Sequence, residues 1–132
     1  MIERLKDSSM FLNLMELAKQ LPNTPLEELG KMLINGFNKD TAQILVCKEN
    51  EDITGFTLTS IEEFDGNNVA FIQGAVIKPN NDNYGLELME KIRSWASDMK
   101  VKYIYMITNR NTKGFSKKYN FEEVGKVMRR TI

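Results

Sequence analysis

Residues 75–121 constrain this chain more than any other stretch. An apolar run ends at Ile77-Lys78-Pro79, and an Asn-rich turn follows, Asn80-Asn81-Asp82-Asn83-Tyr84-Gly85. Leu88, Met89, Ile92, Trp95, Ala96 and Met99 then recur at helical spacing. A second apolar run, residues 101–108, stops at Asn109, and a short helix is predicted to close on Phe115-Ser116-Lys117-Lys118-Tyr119-Asn120-Phe121. A strand, crossover helix and strand of this length join parallel neighbours, so residues 69–77 and 101–108 should run side by side in one direction. The unit also presents backbone N–H groups at the helix N-terminus, which favours an anion. A phosphate-bearing ligand is the first expectation.

What precedes this unit supplies the layers around it. Residues 8–21 read as a helix capped by Ser8 or Ser9, with Phe11, Leu14, Met15 and Ala18 on one face and Pro22 as its end. Thr24, Pro25 and Glu27 form a capping box with proline at the first helical position. Leu26, Leu29, Leu33 and Phe37 then make a buried stripe, and Gly36 is the predicted stop. From Thr41 the period becomes that of strands. Residues 42–48 lead through an Asn50-Glu51-Asp52 turn to residues 53–61, where Phe56 and Leu58 alternate with Thr57 and Thr59. Asp65-Gly66-Asn67-Asn68 is a turn, and residues 69–77 are apolar enough for a central strand covered on both faces. Residues 124–129 hold one more predicted strand. The fold class is α/β (α+β), a mixed and mostly antiparallel sheet flanked by helices, in a single domain over residues 1–132.

Composition narrows the chemistry. A chain of 132 residues suits one domain, and its 18 basic and 18 acidic residues cancel, so charge argues for neither nucleic acid nor an anionic membrane. No segment has the length of a membrane span or a signal peptide, and a cytoplasmic protein is expected. Cys47 is the single cysteine, which rules out an internal disulfide. With no histidine, zinc sites and Ser-His triads lose their commonest participant, and a metal-free protein is expected. Cys47, on a buried-looking strand, reads as core.

In this order the pieces resemble the GNAT family, the general N-acetyltransferases, which move an acetyl group from acetyl-CoA to an amine. Residues 46–56, ending Ile53-Thr54-Gly55-Phe56, are similar to a family strand-turn-strand that commonly ends "ivGf". Ala75-Val76-Ile77-Lys78-Pro79 resembles "l-x-V-x-P", and Gly85-Leu86-Glu87-Leu88-Met89-Glu90-Lys91 resembles "G-x-x-L-l-e-k". Asn109 with Phe115–Phe121 is similar to "N…F-Y-k-k-x-G-F". The resemblance implies that Asn81, Asp82, Asn83, Tyr84, Gly85 and Leu86 hold the CoA pyrophosphate. It implies that Ala75, Val76 and Ile77 offer main-chain hydrogen bonds to the pantetheine arm, and that Asn109 reaches the cofactor by its amide. Asn80 stands where the family carries Gln or Arg, Asn83 where it carries its first loop Gly. Gln73 stands where it often has a Glu base, and Ser116 where it often has a Tyr acid. Gln73 and Ser116 are therefore the catalytic candidates, while Tyr119, about a turn beyond Ser116, is expected to face elsewhere. Room for close helix-strand packing is the second reading of Gly85 after cofactor contact, and Arg110, Lys113, Lys117 and Lys118 either meet a CoA phosphate or form a solvated face.

Two functions follow. One is an acetyl-CoA-dependent N-acetyltransferase working by direct attack of a small-molecule or protein amine, with a base among Glu49, Glu51, Glu62 and Glu63. The alternative is a GNAT-like fold kept as a binding or structural module. A homodimer, in which a second copy completes the sheet edge, is also expected.

Overall fold

In the computed structural model, residues 1–20, 26–78, 84–107, 119–125, 128, 130 and 131 are described. Their order is β1 (Ile2–Arg4), α1 (Phe11–Lys19), α2 (Leu26–Phe37), β2 (Ala42–Glu49), β3 (Asp52–Phe64), β4 (Asn67–Ile77), α3 (Gly85–Asp98) and β5 (Ile104–Met106). The strands form one sheet in the order β1-β2-β3-β4-β5. β2, β3 and β4 are the predicted antiparallel meander. Asp65 and Gly66 both take positive φ, 52° and 80°, between the paired Phe64 and Asn67. That two-residue geometry matches the right-handed twist of its strands, and Asp-Gly adopts it at little cost. β4 and β5 run parallel, Ala70 to Ile104 and Ile72 to Met106, as the crossover requires.

Helices cover both faces, so β4 is central in the predicted sense. Leu14, Leu17, Leu29 and Leu33 of α1 and α2 close on Ile44, Val46, Phe56, Leu58 and Val76. Leu88 and Ile92 of α3 close on Leu45, Cys47 and Ile72, and Trp95 and Ala96 cover Ala70.

Several sequence expectations change. β1 was not foreseen; three residues carry too little period to be read, yet they pair antiparallel with Leu45–Cys47. The cap at Ser8 or Ser9 is instead Asp7, whose carboxylate accepts from the Ser9 backbone N–H at 2.9 Å. It opens a short 3-10 turn, Ser8–Met10, before α1. β5 spans Ile104–Met106 where residues 101–108 were predicted, because Lys100 turns at φ 62° and the ladder starts only after Tyr103. Val124 and Gly125 lie outside any strand, and Val124 is exposed. Thr24 and Pro25 lie outside the described residues.

Gly36 is not a stop. α2 continues through it to Phe37, and the Asn38 side-chain amide donates to the Ile34 carbonyl at 3.0 Å beyond the helix end. A Cβ at Gly36 would stand 2.6 Å from Leu58 Cδ1, so the missing side chain lets α2 approach β3. Gly36→Ala gains about 1 kcal/mol of helix propensity but forces a close-packed Leu to move, which costs about 1–3 kcal/mol. A lower urea midpoint than the parent protein is the expected result.

Candidate functional site

Among the described residues the sheet opens along β4, which pairs with β5 only through Ala70, Phe71 and Ile72. At that point its register with β3 also slips: Thr59 opposes Ile72 and Leu58 opposes Gly74, leaving Gln73 as an extra residue. Such a bulge bends the strand and re-aims a side chain. Past it, β4 has no ladder partner on the β5 side among the described residues, so the main chain of Gly74–Ile77 offers hydrogen-bonding groups along that edge. Ala75 is exposed there, opposite the buried Thr57, whose Oγ1 has no partner among the described residues. The Val76 side chain turns into the α1-α2 core and Ile77 toward α3. For Ala75, Val76 and Ile77 it is therefore main-chain groups that lie along the open edge.

β4 leads to the N-terminus of α3. Its N-cap, Tyr84, makes no side-chain cap hydrogen bond, so the capping side chain itself does not occupy the first-turn N–H groups, where the helix dipole favours an anion. The Tyr84 hydroxyl lies 3.5 Å from the Lys48 carbonyl and from the Met1 nitrogen, so Tyr84 offers that anion its backbone alone. Leu86 is exposed and Gly85 buried. A Cβ at Gly85 would strike the Tyr119 hydroxyl, so Tyr119 sits over the start of α3. Gly85 therefore has a packing role whatever binds beside it. Asn80, Asn81, Asp82, Asn83, Asn109, Arg110, Lys113, Ser116, Lys117 and Lys118 lie outside the described residues.

The bulged Gln73 does not stand alone. Its Nε2 donates to Ser60 Oγ at 3.0 Å and reaches Glu62 Oε1 at 3.4 Å. Ser60 Oγ in turn donates to Glu62 Oε1 at 2.8 Å. The reversed amide would set two oxygens against each other, so this orientation is the electrostatically favoured one. Gln73 has no basic atom, yet it and Ser60 hold a carboxylate. Of the four acidic candidates Glu62 is the one joined to this group; Glu63, the next residue, points to the opposite face, and Glu49 and Glu51 lie at the far end of β2 and β3. Ser60 escaped the sequence reading, because its role depends on a pairing that only the folded sheet makes.

Aromatic side chains share that face. Phe64 follows Glu62 by two residues, and Phe71, paired with Ser60, is in register with Tyr105. The Phe64 and Tyr105 rings lie 4.8 Å apart, and Tyr103 meets Tyr105 edge-on at 6.4 Å.

Cys47 is core, 1% exposed, and burial pushes its thiol up to about 11. The unfolded thiol ionises near pH 8.5, so the stability that burial of the neutral form contributes is complete below that value. It is lost as pH rises toward about 11. A Cys47→Ala variant should lose less of its melting temperature across that window than the parent protein.

Among the described residues no group of His, Cys, Asp or Glu side chains is placed to hold a metal ion, and no helix is long and apolar enough to cross a membrane. No protein-family model matches the sequence, and no curated protein does. Solved structures do match the fold. The aminoglycoside antibiotic 6'-N-acetyltransferase AAC(6')-IG from Acinetobacter haemolyticus superposes with a TM-score of 0.81 at 15% identity, over 100% of this chain and 97% of that one. AAC(6')-Iy in complex with the bisubstrate analogue CoA-S-monomethyl-acetylneamine gives 0.78 at 18% identity, over 100% and 97%. A predicted acetyltransferase with acetyl-CoA from Clostridium acetobutylicum gives 0.76 at 15%, over 99% and 96%.

Proposed function

On the GNAT fold that this chain adopts, we propose that it transfers an acetyl group from acetyl-CoA to the amine of a small molecule. The observation that carries the reading is the bulge at Gln73, where β4 parts from β5 on its way to the N-terminus of α3, whose N-cap Tyr84 makes no side-chain cap hydrogen bond. An extended, amide-rich ligand with a phosphate end fits that combination: strand-like hydrogen bonds along Gly74–Ile77, then N–H groups and a helix dipole for the anion. Neighbours of the same fold carry a CoA bisubstrate analogue or acetyl-CoA, which supports that ligand.

In this reading the main chain from Asn81 to Leu86 holds the pyrophosphate and Asn109 contributes its amide. A main-chain N–H of the open β4 edge polarises the thioester carbonyl and stabilises the oxyanion. Glu62 takes one proton from the substrate ammonium. The freed lone pair forms the C–N bond, the C–S bond breaks with its electron pair on sulfur, and the second amine proton passes to that sulfur, with the Ser116 hydroxyl beside it. The products are the acetamide and free CoA, and Glu62 returns its proton to water. Positioning of the two reactants supplies much of the rate, and no covalent intermediate on the protein is needed.

Calorimetric titration with acetyl-CoA, desulfo-CoA and ADP tests the reading. Binding of acetyl-CoA and desulfo-CoA, each tighter than ADP, is the expected result. No heat with millimolar acetyl-CoA would refute it and leave a GNAT-like binding module.

A further inference from the structure

From the face around the Gln73 bulge, we propose that the acceptor is a monocationic amine with an aromatic or apolar body, its ammonium on Glu62 and its body on the rings of Phe64, Phe71 and Tyr105. This rests on the acetyl-transfer reading and names the substrate class for that site.

The placement follows from register. Residues paired across strands share a face, and those two apart along a strand do too. Ser60 opposes Phe71, Glu62 opposes Val69, and Phe71 is level with Tyr105 on β5. Glu62, Phe64, Phe71 and Tyr105 therefore stand on one side of the sheet, and Gln73 joins them through its contacts with Ser60 and Glu62. α1 and α2 pack over β2 and the first half of β3, leaving this end open: Glu62 and Phe64 are exposed, and Phe71 and Tyr105 half-buried.

Charge selects the occupant. The donors from Ser60 and Gln73 both reach Oε1, which leaves Oε2 to accept from a further donor. Both donors are neutral and bring no counter-charge, and a substrate ammonium supplies one. The adjoining rings favour the same cation through their faces and supply apolar area for its body. Along this stretch of the described face Glu62 is the one carboxylate, since Glu63 points to the other side, so a polycation finds a single counter-charge. Ser60 and Gln73 are positioning residues.

The test needs no acetyl-CoA, which separates its failure from that of the acetyl-transfer reading. 2-Phenylethylammonium is titrated into the labelled protein while the Gln73 side-chain amide and the Glu62 carboxyl carbon are followed by NMR. Saturable shifts at both groups are expected, with 2-phenylethanol and 3-phenylpropionate inert and spermidine no tighter. Glu62→Gln should weaken binding at least about tenfold, the loss of one charge-assisted contact. Glu63→Gln should leave it unchanged. Ser60→Ala should weaken it about threefold and Ser60→Thr, which keeps the hydroxyl, should restore it, a rescue that a purely structural serine would not give. Equal shifts with 2-phenylethanol, tighter binding of spermidine, unaltered binding by Glu62→Gln, or no shift at either group would overturn the proposal.

Discussion

Replacing Ala75 with glutamate should abolish acetyl-CoA binding while leaving the protein folded. Ala75 lies on β4 just past the Gln73 bulge, on the stretch where β5 no longer pairs, and its side chain is exposed. A longer carboxylate there occupies the path proposed for the pantetheine arm and repels a ligand that carries phosphates. A loss of at least about 100-fold in affinity, or roughly 2.7 kcal/mol, is expected. Stability should move by less than about 0.5 kcal/mol, because an exposed position gives up little packing. Ala75→Ser, which adds one small neutral atom, should bind as the parent does. Gly85 is the less informative target: any side chain there must displace Tyr119, so lost binding and altered packing would coincide. Unchanged acetyl-CoA affinity in Ala75→Glu would move the ligand off the β4 edge.

The largest stability effect should come from Phe56→Ala. The Phe56 ring is fully enclosed, sits between Val46 and Val76 in the ladder, and belongs to the cluster formed with Leu14, Leu33 and Leu58. Truncating such a ring typically costs about 3–5 kcal/mol, against about 5–15 kcal/mol holding a small domain together. Urea denaturation should show a much lower midpoint with a similar slope. A loss below about 1 kcal/mol would mean that α1 and α2 collapse into the space, and the core would then be looser than its burial indicates. Because Val76 packs on this ring, affinity for acetyl-CoA should fall as well.

The two variants mark the border between what is readable and what is not. Phe56 announces itself by alternation with Thr57, since successive side chains of a strand point to opposite faces of the sheet. The helix over 85–98 announces itself through Leu88, Ile92 and Trp95, and the hairpin through Asp65-Gly66, because these signals are local. The parallel β4-β5 pair follows from chain length and handedness alone. The GNAT-like order was thus present in one dimension.

Other features were not. Gln73-Gly74 looks like ordinary strand; it becomes a bulge only because β3 offers one residue against two. Glu62 was one acidic candidate among four until pairing brought it to Gln73, eleven residues on. Gly36 reads as a helix stop because glycine favours helix ends, but the close approach of Leu58 gives it a packing role inside the helix. Tyr119 reaches Gly85 across more than thirty residues of chain. By itself the sequence determined the elements, their order and the covered faces, since hydrophobic period and turn chemistry act between near neighbours. The tertiary structure alone decided where the sheet opens, which carboxylate stands at the opening and which glycines make room, because those depend on contacts between residues far apart in the chain.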